Sequence, residues 1–269
     1  MSDICDVSIE PTNNDSQLSD SFSDLCIYDL DEDSLLEVFR YLNFNQLLEA
    51  SGVCLLFRQL ARRCLRKIRH FELDYRAFMN DFHLPRIDVI LGNIGPNLEA
   101  FKFSGGFIMN EDLKRTIVND VALNCASLQH LTINYVELKA EHLVALKVLL
   151  SHLTGLDLGR CALQDDTFGP FIEAAAHLQT LAVPGNASLD GSFLDVWQSC
   201  TQLEQLDVSH CYSFSVGKME AFLAKAVRLR AVDVTACTWL KKDKQVFNDC
   251  GRDVALGVEL PVFNYFKAA

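Results

Sequence analysis

No stretch of this sequence approaches the ~20 consecutive apolar residues that a membrane-spanning helix needs. Its first residues do not run from basic to apolar as a secretory leader does, so a soluble intracellular protein, cytoplasmic or nuclear, is expected. Positive charge is scarce: 24 Lys and Arg stand against 36 Asp and Glu, a net charge of −12. Nucleic acid and anionic lipid surfaces would repel such a chain at long range, which leaves proteins as the expected partners. The phosphate-cradling G-x-x-x-x-G-K, the dinucleotide G-x-G-x-x-G, the zinc-protease H-E-x-x-H and the nucleophile elbow G-x-S-x-G are all missing. Seven histidines are scattered without ligand spacing, and no C-x-x-C occurs among the ten cysteines. No enzyme, metal site or bound cofactor is therefore expected, and His142 and His152 read as surface residues.

What is present is a leucine phrase, L-x-x-L-x-L, repeated at Leu128-Leu131-Ile133, Leu153-Leu156-Leu158, Leu178-Leu181-Val183, Leu203-Leu206-Val208 and Leu229-Val232-Val234. The first positions are 25, 25, 25 and 26 residues apart, and looser copies at Ile68-Phe71-Leu73 and Leu98-Phe101-Phe103 precede them at 30-residue steps. Such a period predicts an α/β leucine-rich repeat solenoid of about seven repeats over 67–250, each a short strand followed by a helical return. Between Val136 and Leu153 the return is marked by Leu138, Leu143, Leu146 and Leu149 at helical spacing. Cys161, Cys211 and Cys237 lie eight residues after the first leucine of their repeats, with Asn186 at the same place in its own; Cys125 and Cys200 lie three residues before one. Cysteines recurring in step with the coils read as reduced, inward-facing core residues.

Residues 1–26 hold too little apolar surface to offset the entropy of ordering, and predict a disordered tail in which Ser19, Ser21 and Ser23 stand near acids. Over 27–66 the pattern changes to three short helices. Leu35, Leu36, Val38, Phe39 and Leu42 form an apolar face behind the acids Asp31, Glu32 and Asp33; Asn45 can cap a second helix with Leu47 and Leu48; a third runs from Leu55 through Leu60 to Leu65. So small a unit leaves apolar surface that needs a cover. The basic cluster Arg62, Arg63, Arg66, Lys67 and Arg69 reads as a wetted helix face.

The run Leu30-Asp31-Glu32-Asp33-Ser34-Leu35-Leu36-Glu37-Val38-Phe39-Arg40-Tyr41-Leu42, with Gln46-Leu47-Leu48, Ser51-Gly52-Val53-Cys54 and Phe57, resembles an F-box, with Asp31 where that pattern has proline. The cysteine positions resemble the cysteine-containing class of leucine-rich repeat. Their order, F-box then repeats across roughly residues 27–250, is that of the F-box leucine-rich repeat family, substrate receptors of Skp–cullin–F-box ubiquitin ligases. The resemblance implies an adaptor-facing set among Leu30, Asp31, Leu35, Leu36, Phe39, Leu48 and Val53; the same side chains could instead pack the three helices together. It also implies a Skp-type adaptor as partner, with cullin and RING subunits behind it and a protein substrate on the solenoid. A non-catalytic scaffold and a leucine-rich repeat inhibitor stay open as alternatives.

Alternation along each strand aims Glu72, Lys102, Thr132, Asp157, Ala182, Asp207 and Asp233 at the concave face. The acids could form a stripe for a basic substrate segment or a plain solvated ladder. Asn134, Arg160, Ser209, His210 and Thr235 could add hydrogen bonds beside them, so the candidate substrate set is Glu72, Lys102, Thr132, Asn134, Asp157, Arg160, Asp207, His210 and Asp233. Residues 251–269, with Val254, Leu256, Val258 and Leu260, are expected to cap the last coil or enter the concave face.

Overall fold

The structure, a computed structural model, describes residues 26–75, 87–106, 109–238, 247 and 254–257. The expected tail with Ser19, Ser21 and Ser23, and the chain from Val258 onward, lie outside these residues. Two units meet in the chain between Cys64 and Leu65.

Among the described residues, the first unit contains a 3-10 turn (Ile27–Asp29) and three α-helices, α1 (Glu32–Arg40), α2 (Phe44–Ser51) and α3 (Leu55–Leu65). Asp31 starts α1 as its N-cap: its carboxylate accepts the Ser34 backbone N–H at 2.9 Å and the Ser34 hydroxyl at 2.8 Å. Those two donations hold the carboxyl below the usual aspartate range. Helix α2 is capped by Asn43, which accepts from Gln46 N at 3.0 Å while the Gln46 side chain accepts from Asn43 N at 2.9 Å. This corrects the expected cap: Asn45 lies inside α2, because the reciprocal Asn–Gln box satisfies two backbone donors at once. Phe39 packs edge-on against Phe57, ring centroids 5.1 Å apart.

In the second unit eight strands form one parallel sheet in chain order: β1 (His70–Asp74), β2 (Ala100–Ser104), β3 (His130–Asn134), β4 (Gly155–Asp157), β5 (Thr180–Ala182), β6 (Gln205–Asp207), β7 (Ala231–Asp233) and β8 (Ala255–Leu256). Between them run α4 (Ile87–Ile94), α5 (Glu111–Asn124), α6 (Ala140–Leu146), α7 (Asp165–Ile172), α8 (Phe193–Val196) and α9 (Val216–Lys225). Each return of helix to a neighbouring strand advances the chain by one strand, which is a solenoid-like arrangement. The five regular leucine phrases supply its core, every side chain in them at most 2% exposed. Each such burial contributes ~1.5–3 kcal/mol. The first coil is more open, with Ile68 and Phe71 half-buried.

Three features of the returns differ from the sequence reading. Leu138 precedes α6, and Lys147–Ser151 tightens to a 3-10 turn, so the apolar spacing there spans two conformations. Helix α8 is a single turn, because Pro184, Gly185 and Gly191 break the segment before it and Asp165 must tie it down, accepting from Asp190 N at 2.7 Å and Phe193 N at 2.8 Å. Strand β8 extends the sheet past residue 250, where the repeats were expected to end.

Parallel coils have to pass backbone hydrogen bonds from one to the next. At the strand starts, Gln129 N donates to Glu99 O, Thr154 N to Gln129 O, Gln179 N to Thr154 O, Glu204 N to Gln179 O and Arg230 N to Glu204 O, all at 2.8–2.9 Å. After the strands, the slot eight residues past the first leucine continues the ladder through side chains. Cys161, Cys211 and Cys237 thiols donate to the carbonyls of Ile133 (3.0 Å), Val183 (3.2 Å) and Val208 (3.3 Å) in the preceding coils. Asn186, fully buried, donates to Leu158 O and Val183 O at 2.9 Å and accepts from Cys161 N at 2.9 Å and Leu163 N at 3.1 Å.

Burial pushes the Cys125 and Cys211 thiols up to about 12 and Cys237 to about 11, so they stay protonated and unreactive. Peptide mapping after a brief iodoacetamide pulse is expected to find Cys26 and Cys54 alkylated and Cys125, Cys161, Cys200, Cys211 and Cys237 protected; labelling of the slot cysteines in the native protein rejects their burial. Asn186→Ala strands two buried N–H groups and weakens two carbonyl contacts, and should cost ~3–5 kcal/mol in urea unfolding. Asn186→Cys, which keeps one donor, should fall between it and the wild type; equal stability of all three would mean that the slot does not carry the ladder.

Candidate functional site

Two surfaces hold the residues singled out from the sequence. In the three-helix unit, Leu35, Leu36 and Phe39 are 1%, 7% and 2% exposed, so these three are internal packing residues and leave little surface for a partner. Leu48 is half-buried, and Asp31 is occupied with its helix. Leu30 (46%) and Val53 (63%) are open, and so are Val38 (45%), Tyr41 (89%) and Leu55 (72%). The last two went unnoticed in the sequence as contact residues because both sit at helix ends, outside the apolar stripe. With Ile27 (44%) they make six exposed large apolar side chains on so short a unit, more than the scattered singles normal on a surface.

On the sheet, the strand register places Glu72, Lys102, Thr132, Asp157, Ala182, Asp207 and Asp233 side by side in one row. That row is largely consumed by the fold. Glu72 and Lys102 form an ion pair at 2.5 Å, and Thr132 and Asp157 are buried, at 2% and 9% exposed. Each aspartate caps the turn after its own strand: Asp157 accepts from Gly159 N at 3.0 Å, Asp207 from Ser209 N at 2.8 Å and Asp233 from Thr235 N at 2.8 Å. Asn134 joins them, donating to Asp157 at 3.2 Å and accepting from Gly159 N at 2.9 Å. The acids are neither a free stripe nor a solvated ladder: Asp157 is buried, Asp207 and Asp233 are half-buried, and their oxygens serve their own backbone.

A second row, seven residues past each first leucine, lies along the outer edge of these turns. Tyr135, Arg160, Gly185, His210 and Ala236 all adopt left-handed backbone, with φ between 55° and 70°. Their N–H groups donate to the next coil, Tyr135 to Gly159 O at 3.1 Å, Arg160 to Pro184 O at 2.7 Å, Gly185 to Ser209 O at 2.8 Å and His210 to Thr235 O at 2.7 Å. Arg160 and His210 point outward here; Tyr135 and Tyr212, 39% and 54% exposed, accompany them. Linear reading missed both tyrosines, although the 25-residue period aligns Tyr135 with Arg160 and His210.

Glu111, Glu141 and His142 bring possible metal-ligand atoms within 4.8 Å of one another. Their chemistry argues against a cation. His142 Nδ1 accepts the Lys139 backbone N–H at 3.1 Å, so the neutral ring carries its proton on Nε2, which faces Glu111 at 3.3 Å. Ligation through Nε2 would need that proton on Nδ1, where an N–H already points. Lys114 at 2.7 Å and Lys139 at 3.3 Å already neutralise Glu111, and they hold its carboxyl down at about 2. His142, expected at the surface, is 1% exposed because it sits at the third position of α6 and caps that helix from within; His152 is exposed as expected. Among the described residues, no helix is long and apolar enough to cross a membrane.

Burial raises Asp157 to about 6, against the lowering hydrogen bonds of Asn134 and Gly159. The folded state therefore holds this proton more tightly than the unfolded one, and this group alone makes stability fall as pH rises from ~4 to about 6. Carboxyl NMR is expected to show one aspartate titrating near pH 6 that disappears in Asp157→Asn; a midpoint near 4 would mean that water reaches the turn.

The comparisons with known proteins bear on the first surface. No curated protein matches this chain. Among solved structures, one in a TLR13–ssRNA13 complex is 17% identical with a TM-score of 0.42, over 64% of this chain and 26% of its own, so this chain spans about a quarter of its length. Another, from the Rad7 and Elc1 complex in yeast, is 14% identical with a TM-score of 0.37, over 84% of this chain and 80% of its own. At these scores neither likeness bears on function. The F-box domain family matches residues 27–69, a segment that spans the three helices. Residues 27–69 are an F-box domain.

Proposed function

We propose that this chain is the substrate-recognition subunit of a Skp–cullin–F-box ubiquitin ligase, cytoplasmic or nuclear, and supplies no reacting group of its own. The F-box domain at 27–69 carries the reading: it presents Leu30 and Val53 to solvent, apolar surface that a Skp-type adaptor would cover. In this account the second unit is a leucine-rich repeat solenoid of the cysteine-containing type with about seven repeats. It holds a protein substrate, with neither nucleic acid nor membrane as a partner. Cullin and RING subunits join through the adaptor. The contribution to ubiquitin transfer is proximity, raising the effective concentration of a substrate lysine near the charged conjugating enzyme.

One observation favours a second reading, a scaffold that acts outside ubiquitination. Asp31 replaces the proline of the usual F-box pattern, and its carboxylate is committed to capping α1. Adaptor-dependent ubiquitination of a captured partner separates the two.

Co-expression with a Skp-type adaptor followed by size-exclusion chromatography is the test. The wild-type chain should co-elute with adaptor at one-to-one stoichiometry. Leu30→Asp with Val53→Asp, both surface changes, should abolish co-elution and leave circular dichroism and melting unchanged. Phe39→Asp is unsuitable because it places an unpaired charge in the core. Undiminished co-elution of the double variant would remove this face from the adaptor interface.

A further inference from the structure

The row of left-handed turns is built from side chains that the turns do not require. Glycine satisfies such backbone without steric penalty, as Gly185 does, whereas Tyr135, Arg160 and His210 occupy it against their Cβ atoms. Such strain at bulky residues points to a use for the side chains.

Arg160 is the centre of the row. Its guanidinium carbon lies 5.2 Å from the centroid of the Tyr135 ring, close enough for a cation–π contact that holds the group in place. Its stem occupies the space where Gly185 has no side chain: a Cβ there would meet Arg160 Cγ at 2.7 Å and Nε at 3.4 Å. The side chains of Arg115, Arg228 and Arg230 reach Glu141, Gln202 and Glu204, but the exposed Arg160 guanidinium has no hydrogen bond or ion pair among the described residues. On the far side of Gly185 stands His210, edge-on to Tyr212 with centroids 6.3 Å apart. The nearby aspartates are turned to their own backbone, so they do not fill the guanidinium's donors. Five N–H donors in a fixed plane, presented to solvent and braced on an aromatic ring, match an oxyanion held by two parallel bonds.

We propose that this row is a recognition strip for an extended segment of a protein partner bearing one anionic side chain. The anion seats on Arg160 above the Gly185 notch, and the segment runs on toward His210 and Tyr212. Strands stack ~4.8 Å apart, so Arg160 and His210 stand roughly 10 Å apart along the row, a span covered by three residues of extended chain at about 3.3 Å each. The chain's net negative charge makes the contact short-ranged, placing selectivity at the anion rather than in long-range attraction. This inference rests on the reading of the solenoid as the substrate-holding part and gives that substrate a chemical class.

The test uses the full chain in complex with its adaptor, or alone if it does not co-elute, on arrays of nine-residue peptides with degenerate flanks and a fixed central phosphoserine, glutamate, serine or lysine. Both anionic sets should be retained at least tenfold above serine and lysine, and the larger of the two signals identifies phosphate or carboxylate as the source of the anion. Arg160→Gln should erase that preference, Arg160→Lys should recover part of it without the bidentate fork, and Arg228→Gln should leave it intact. Equal retention of all four sets, retention of none, or an undiminished preference in Arg160→Gln overturns the proposal. Lost preference with adaptor co-elution intact sinks the strip alone, and preserved preference without co-elution sinks the ligase reading alone.

Discussion

The constraint on which the second unit depends is the handing of backbone hydrogen bonds from each coil to the next. A parallel strand of three residues, such as β4, β5, β6 or β7, cannot hold its neighbours by ladder bonds alone. The chain extends the ladder at both ends. Before the strand it uses a backbone N–H from each coil, and after it a left-handed residue followed by a buried Asn or Cys side chain. Asn186 shows why a polar group belongs in that core: all its hydrogen-bonding capacity is taken up by backbone that would otherwise be stranded. The slot cysteines are the weaker version of the same device, which explains both their spacing and their suppressed reactivity.

That constraint also sorts the surface. Side chains on the strand row are recruited as caps, so a line of acids becomes part of the turn. Of the side chains on the left-handed positions, those of Arg160 and His210 are exposed. Here strain and exposure coincide: the backbone fixes where Arg160 starts, Tyr135 fixes where it ends, and Gly185 clears the space between. The F-box domain works by different physics. Three short helices leave several large apolar side chains uncovered, among them Leu30, Val38 and Val53.

Local errors in reading the chain have a common origin. Asn45 and Asn43 are equally good caps by type, and only the Gln46 side chain reaching back selects Asn43. Leu35, Leu36 and Phe39 have the apolarity of an interface and of a core alike; packing against residues such as Phe57, distant in sequence, decides for the core. His142 looks like a polar residue near a helix start, but the neighbouring coil that brings Glu111 to it also buries it.

Period, phrase and composition were sufficient for the architecture: strand after strand at 25 residues, apolar positions inward, three short helices ahead of them, and cysteines in step with the coils. These are properties of single segments, and a hydrophobic pattern at a constant period has few ways to be buried. Only the tertiary structure decided which of the outward residues are free. The aspartates, Asn134 and Arg160 are all polar and all adjacent to the strands, and their difference lies in whether another coil's backbone or ring stands within hydrogen-bonding or stacking distance. That distance depends on the stacking of residues 25 or more apart, which no single coil contains.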